Sequence, residues 1–338
     1  MTAHPGPRHQ TADPGPLHHV VEGPLHPPGP GAPHPPDPGV LDPSAPVPGP
    51  PIREGSPSPE QREQVVHSPP AGSGEPAVHS PPASASTPSG SRAGPNLAGG
   101  RVVLVHGFTQ TLASWGPVAE RLTGRFEVVR VDLPGHGGSG DLRVGFAQAA
   151  GLVGEAGGAG AYVGYSLGGR LCLRLALDRP HLVPALVLIG GSPGIAGPGD
   201  QAERRAADEA LARRIERDGV EAFLDAWLAG PLFATLPAEA PGREERLANT
   251  AEGLAYALRC LGTGVQEPLW DRLGELRPPT LLVAGELDRK FAAIAREMAA
   301  AIGPAARVAL VPGAGHAAHL ERPAETATLV EEFLTRSP

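Results

Sequence analysis

The apolar run Ala161–Tyr165 leads straight into Gly164-Tyr165-Ser166-Leu167-Gly168-Gly169, and a segment of helical period follows at once. A run that short and continuous reads as a strand buried on both faces. The glycines permit a tight strand-to-helix turn, which lifts a serine hydroxyl above the sheet and aims a helix N-terminus at any anion formed there. A lone Gly-x-Ser-x-Gly string is weak evidence. Its place between a strand and a helix makes it strong.

Similar apolar runs recur at Val102–Val105, Val128–Val131, Leu186–Ile189, Thr280–Ala284 and Val308–Val311. Helical periodicity follows Ser166 around Leu171 and Leu175, and returns at Phe291–Ala301 and Ala324–Leu334. Strands alternating with helices predict an α/β fold, a mostly parallel central sheet covered by helices on both faces. Residues 195–275 break this rhythm, with amphipathic spacing such as Ala207, Leu211 and Ile215 and no clear strand. That interval is expected to be a helical insertion over the strands' C-terminal edge, serving as a lid.

Residues 1–95 differ in kind, holding 26 of the 42 prolines and no aromatic residue. Such a segment lacks the apolar surface to offset the entropy of ordering its backbone, so it is expected to be a disordered tail. The catalytic domain is then residues 96–338. Eight of the 13 histidines lie in the tail, but scattered among prolines, and a metal site needs fixed ligand geometry, so none is assigned. Net charge is -8, with no basic run to engage nucleic acid. No segment approaches the roughly 20 apolar residues of a membrane span, and none resembles a signal peptide, so a cytoplasmic location is expected. Cys172 and Cys260 sit in apolar, helix-like sequence and read as buried free thiols. A monomer is compatible with all of this.

A serine at its own pKa is inert and needs a base. His316 lies in Pro312-Gly313-Ala314-Gly315-His316, a loop between the last strand and the last helix. His319 reads as packing or surface, His181 as solvated, and His106 and His136 as parts of other loops. The acid is expected after the strand Thr280–Ala284, where Glu286 and Asp288 both occur. Asp288 is preferred because it lies further into the loop and yields the chain order Ser…Asp…His. Its competing role is a helix N-cap for the segment beginning near Lys290. The loop His106-Gly107-Phe108 would supply one oxyanion-hole amide, Phe108 N–H, with Leu167 N–H as the other.

Together these residues resemble the α/β-hydrolase superfamily. Within it the text from Val102 to Leu334 is similar to the menaquinone-pathway 2-succinyl-6-hydroxy-2,4-cyclohexadiene-1-carboxylate synthases, the MenH family. The resemblance rests on His106–Gln110 with Ser114-Trp115, Asp132–Gly137, Gly164–Arg170, Gly191–Gly194, Pro231–Phe233, Gly262–Gln266, Gly285–Phe291 and Gly315–Glu321. It implies proton abstraction by the Ser166–His316 pair, followed by expulsion of an enolpyruvyl group as pyruvate. Neither a cofactor nor a metal is implied. The implied substrate is a small polycarboxylate, and Arg170 could grip a carboxylate bidentately. By resemblance Arg204 and Arg246 would add further cations, and Tyr165 and Trp227 would shape the pocket. Arg204 has a bland alternative in an i,i+4 pair with Asp208, and Tyr165 and Trp227 have one in core packing. A serine-triad carboxylesterase or carbon–carbon hydrolase is the rival enzyme, and a non-catalytic ligand receptor the rival from another class.

Overall fold

The computed structural model describes residues 15–23, 97, 99–237 and 242–336. Among the described residues seven strands form one sheet: β1 (His19–Glu22), β2 (Arg101–Val105), β3 (Glu127–Val131), β4 (Ala161–Tyr165), β5 (Ala185–Ile189), β6 (Thr280–Gly285) and β7 (Ala306–Val311). Their spatial order is β1-β3-β2-β4-β5-β6-β7. Only β1 runs antiparallel to its neighbour, with His19 opposite Val131 and Glu22 opposite Val128. The other pairs are parallel.

Parallel strands need crossovers, and these are helical. The helices are α1 (Gly116–Leu122), α2 (Phe146–Gly157), α3 (Leu167–Asp178), α4 (Pro198–Leu228), α5 (Arg243–Arg246), α6 (Ala251–Leu261), α7 (Arg289–Ile302), α8 (Ala318–Glu321) and α9 (Pro323–Thr335). Strand alternation sends successive side chains to opposite faces. Val103 and Val105 of β2 join a core with Leu171, Leu175 and Met298, whereas Val102 and Leu104 join one with Val118, Val330 and Phe333. Each such side chain taken fully out of water contributes about 1.5–3 kcal/mol. Because both faces are covered, β4, β5 and β6 are buried at every position.

Between β5 and β6 the described residues contain α4, α5 and α6 and no strand. Helices α4 and α6 share a small core of Ile215, Phe223, Leu224, Leu254 and Leu258. Ala207, by contrast, is exposed. Gly219 breaks α4 at φ 80° and ψ 169°, a conformation closed to side-chain-bearing residues.

One expectation is corrected. Residues 15–23 are not part of a disordered tail but belong to the same compact unit as residues 97–336. Leu17 is buried in the sheet's core, and Asp132 N–H donates to His18 C=O at 2.9 Å. Composition failed here because Leu17–Glu22 is a short apolar island among prolines, and its stability comes from an edge far away in sequence. The other residues read as tail, 1–14 and 24–95 with their histidines, lie outside the described residues. Cys172 and Cys260 are free thiols.

Helix α3 meets β2 and β4 at glycine. A Cβ on Gly168 would lie 2.2 Å from Val105 O and 2.5 Å from His106 O, both backbone atoms. Gly168→Ala is expected to destabilise the fold by about 3 kcal/mol, read as a lowered urea midpoint with an unchanged slope.

Candidate active site

Ser166 sits between β4 and α3 with φ 48° and ψ -108°, in the left-handed region that non-glycine residues avoid. Such a residue costs on the order of 1–3 kcal/mol and persists only where its surroundings over-determine it. Its N–H donates to Ile189 C=O at 2.9 Å, and its C=O accepts from Arg170 N–H at 3.0 Å. Gly164 and Gly168 let the two arms of the turn touch; a Cβ on Gly164 would lie 2.6 Å from Gly168 O. The serine is thereby raised into a cavity of about 170 Å³, lined also by Phe108, Leu167, Arg170, Arg204, Trp227, Lys290, Phe291 and His316.

His316 and Asp288 come from the loops after β7 and β6. Asp288 Oδ2 lies 2.7 Å from His316 Nδ1, and its Oδ1 accepts from Phe291 N–H at 3.2 Å. The carboxylate therefore does both things weighed for it, capping α7 with one oxygen and engaging the imidazole with the other. Glu286 turns instead to Gly313 N–H at 3.0 Å. Nδ1 is thus engaged by the carboxylate, and His316 lines the same cavity as Ser166. Gly190, at φ 58°, makes room for the ring, since a Cβ there would lie 2.9 Å from His316 Cε1. Phe291 covers the imidazole with a centroid separation of 4.4 Å.

Glu321 holds the histidine's loop. Its buried carboxylate accepts from Gly315 N–H at 2.7 Å and from Ala317 N–H at 3.0 Å, the amides on either side of His316. Sequence reasoning assigned it no role, although it lies only five residues beyond the histidine.

The loop carrying Phe108 is strained one residue later, at Thr109, with φ 68°. Three side chains hold that residue. Its N–H donates to His136 Nε2 at 3.3 Å, its C=O accepts from Asn249 Nδ2 at 2.8 Å, and its hydroxyl accepts from Arg246 Nη1. His106 Nε2 accepts from Leu133 N–H at 3.0 Å, tying this loop to the next. Burial keeps His106, His136 and His319 neutral: His136 is pushed down to about 3 by burial and by His106, and His319 falls well below its usual value.

Arg170 is buried beside the serine, yet its partners are neutral: Gln266 Oε1 at 2.6 Å and Leu261 C=O at 2.9 Å. Burial and then the like charge of Arg204 push its pKa down to about 9, against the opposing pull of Asp208. Arg204 pairs with Asp208 at 2.7 Å and also lines the cavity, so both of its readings coexist. Trp227 lines the cavity and meets Phe108 edge-on at 5.5 Å. Arg246 and Tyr165 are not among the cavity-lining residues. Arg246 lies against Thr109 and the Phe233 ring, and Tyr165 packs on His319 at 4.2 Å beneath Gly107. Gln266 and Asn249 were missed because their partners lie 96 and 140 residues away.

The α/β hydrolase family model matches residues 102–329, and the chain belongs to that family. It is 38% identical over 262 residues to a Bacillus subtilis (strain 168) protein provisionally named 2-succinyl-6-hydroxy-2,4-cyclohexadiene-1-carboxylate synthase, covering 72% of this chain and 92% of that one. It is 34% identical to the synthase of that name from Salmonella paratyphi B, covering 69% of this chain and 93% of the other. Among solved structures, MenH from S. aureus superposes with a TM-score of 0.65 at 34% identity, over 71% of this chain and 96% of that one. A thermophilic esterase from Thermogutta terrifontis, with malate bound, gives a TM-score of 0.60 at 25% identity, over 71% and 90%.

Two outcomes follow from this geometry. Glu321→Ala strands two buried amides, so a stability loss on the order of 3 kcal/mol is expected by urea titration, together with slower turnover. The buried histidines have folded pKa values below their unfolded value of about 6.5, so their neutral state favours the fold fully only above that pH. Stability is then lost as pH falls below about 6.5, by about 1.4 kcal/mol per unit for each histidine until its folded value is reached. Urea midpoints measured at pH 7.5 and 5.5 check this, and a flat profile would contradict it.

Proposed function

We propose that this chain is a 2-succinyl-6-hydroxy-2,4-cyclohexadiene-1-carboxylate synthase, acting on the enolpyruvyl precursor of that product in menaquinone biosynthesis. The observation that carries this reading is Arg170, a buried cation beside Ser166 whose own partners carry no charge. Leaving a guanidinium in that state is costly unless an anion arrives to complete it. Arg204 and Lys290 add positive charge to the same cavity, which suits a substrate bearing more than one carboxylate.

In this mechanism Asp288 fixes the His316 tautomer, and Nε2 draws the proton from Ser166 Oγ. The serine alkoxide takes the acidic ring proton of the substrate and becomes a hydroxyl again, while His316 keeps the first proton as an imidazolium and gives it up when the leaving enolate is protonated. The electron pair left on carbon moves through the conjugated system and breaks the C–O bond to the enolpyruvyl group. That group leaves as the enolate of pyruvate and is protonated to pyruvate. No acyl-enzyme forms. Phe108 and Leu167 N–H are the donors for negative charge developing on oxygen. The helical insertion at residues 195–275 serves as the lid, carrying Arg204 and Trp227 to the reacting centre. Arg246 acts through Thr109 on the same loop, and Tyr165 supports the His316 side of the cavity. No cofactor or metal enters the reaction. None of the described helices is long and apolar enough to cross a membrane.

The likeness to an esterase keeps one rival reading, hydrolysis of a neutral ester through an acyl-serine. Incubation with the enolpyruvyl substrate separates the two. Wild type should release pyruvate, Ser166→Ala and His316→Ala should slow release by roughly 10²–10⁴-fold, and Arg170→Ala should lower kcat/KM by at least about 30-fold. Wild-type rates in Arg170→Ala, with fast turnover of a neutral ester, would establish the esterase instead.

A further inference from the structure

Residues 24–96 separate two strands whose ends are already close. Glu22, the last residue of β1, pairs with Val128 on one side of β3. Arg101, the first of β2, pairs with Glu127 on the other side. Two neighbouring inter-strand spacings amount to roughly 10 Å, which three or four residues can cross. The connection is therefore far longer than the fold requires.

The strand itself is tied to the candidate site. His18 N–H donates to Ser139 Oγ at 2.9 Å, and its Nδ1 donates to Asp132 Oδ2 at 2.8 Å. Gly138 is bare where the ring lies, since a Cβ there would approach His18 Cγ to 2.5 Å. Asp132 is buried, and His18 is its closest titratable partner; His106 Nε2 stands 3.8 Å away with its lone pair committed to Leu133 N–H. Through its two oxygens Asp132 also accepts from Leu112 N–H at 2.7 Å and Gly138 N–H at 2.9 Å. Leu112 closes the loop that contains Phe108 and the strained Thr109, and Gly138 closes the loop whose His136 holds Thr109 N–H.

We propose that Leu17–Glu22 is a clasp of the catalytic domain, in which His18 is a positioning residue that acts through Asp132 on the Phe108 amide. Residues 24–96 are then an insertion within the domain, not a leader before it. A half-exposed ring on an edge strand thus contributes to an oxyanion donor it never touches. The clasp rests on the proposed reaction only for its turnover readout.

Three variants of the full chain test it: His18→Ala, His18→Gln, and a chain with His26 joined directly to Ser91. Turnover is read as pyruvate release, and loop order as amide hydrogen exchange over residues 107–112, which needs no substrate. His18→Ala should lower kcat by about 10-fold, less than the 10²–10³ lost with an oxyanion donor removed outright, while KM stays within about 2-fold. Exchange over residues 107–112 should quicken in the same variant. His18→Gln, which keeps a donor of similar reach, should recover most of both. The chain lacking residues 27–90 should match wild type in each. Wild-type kcat and exchange in His18→Ala would overturn the clasp, as would a change confined to KM. A folded but inactive chain without residues 27–90 would overturn the insertion. If wild type itself releases no pyruvate, the exchange data still decide the clasp, and only the proposed reaction falls.

Discussion

The close approach of α3 to the backbone of β2 is the contact on which the site depends. Because Gly168 has no Cβ, the helix can start against the carbonyls of Val105 and His106, and the turn between β4 and α3 has no slack. That crowding keeps Ser166 at positive φ, so the strain is stored in a residue that the sheet and helix together over-determine. The same approach sets α3's first turn beside the loop after β2, which brings Leu167 and Phe108 to one cavity.

Around that turn, charge is distributed with an evident division. The groups beneath and behind the cavity are kept neutral by burial, His106, His136 and His319 among them. Fixed cations stand at its wall, Arg170 with neutral partners and Arg204 with one shared carboxylate. Neutral imidazoles can accept from backbone amides, as His136 does from Thr109 and His106 from Leu133, which an imidazolium could not. His106 and His136 brace the loops because, uncharged, each keeps a ring nitrogen free to accept from a backbone amide.

Much of this was legible in the chain. Continuous apolar runs with short helical intervals define a parallel sheet by period alone, and six of the seven strands lie where those runs stand. Ser166, Asp288 and His316 each follow such a run, so their convergence at one sheet edge follows from the alternation. Strand β1 was not legible, because four residues among prolines carry no periodicity and pair only through β3. Arg246 shows another limit: a charged side chain in a helical segment gives no sign of which buried hydroxyl it will meet 137 residues away.

Sequence by itself determined the layered α/β architecture and the places of Ser166, Asp288 and His316 after successive strands, since local period and glycine placement act over a few residues. Tertiary structure alone decided that Asp288 also caps α7, that Glu321 pins the loop of His316, and that Leu17–Glu22 adds a strand to the sheet. Those outcomes turn on distances between segments that only packing brings together.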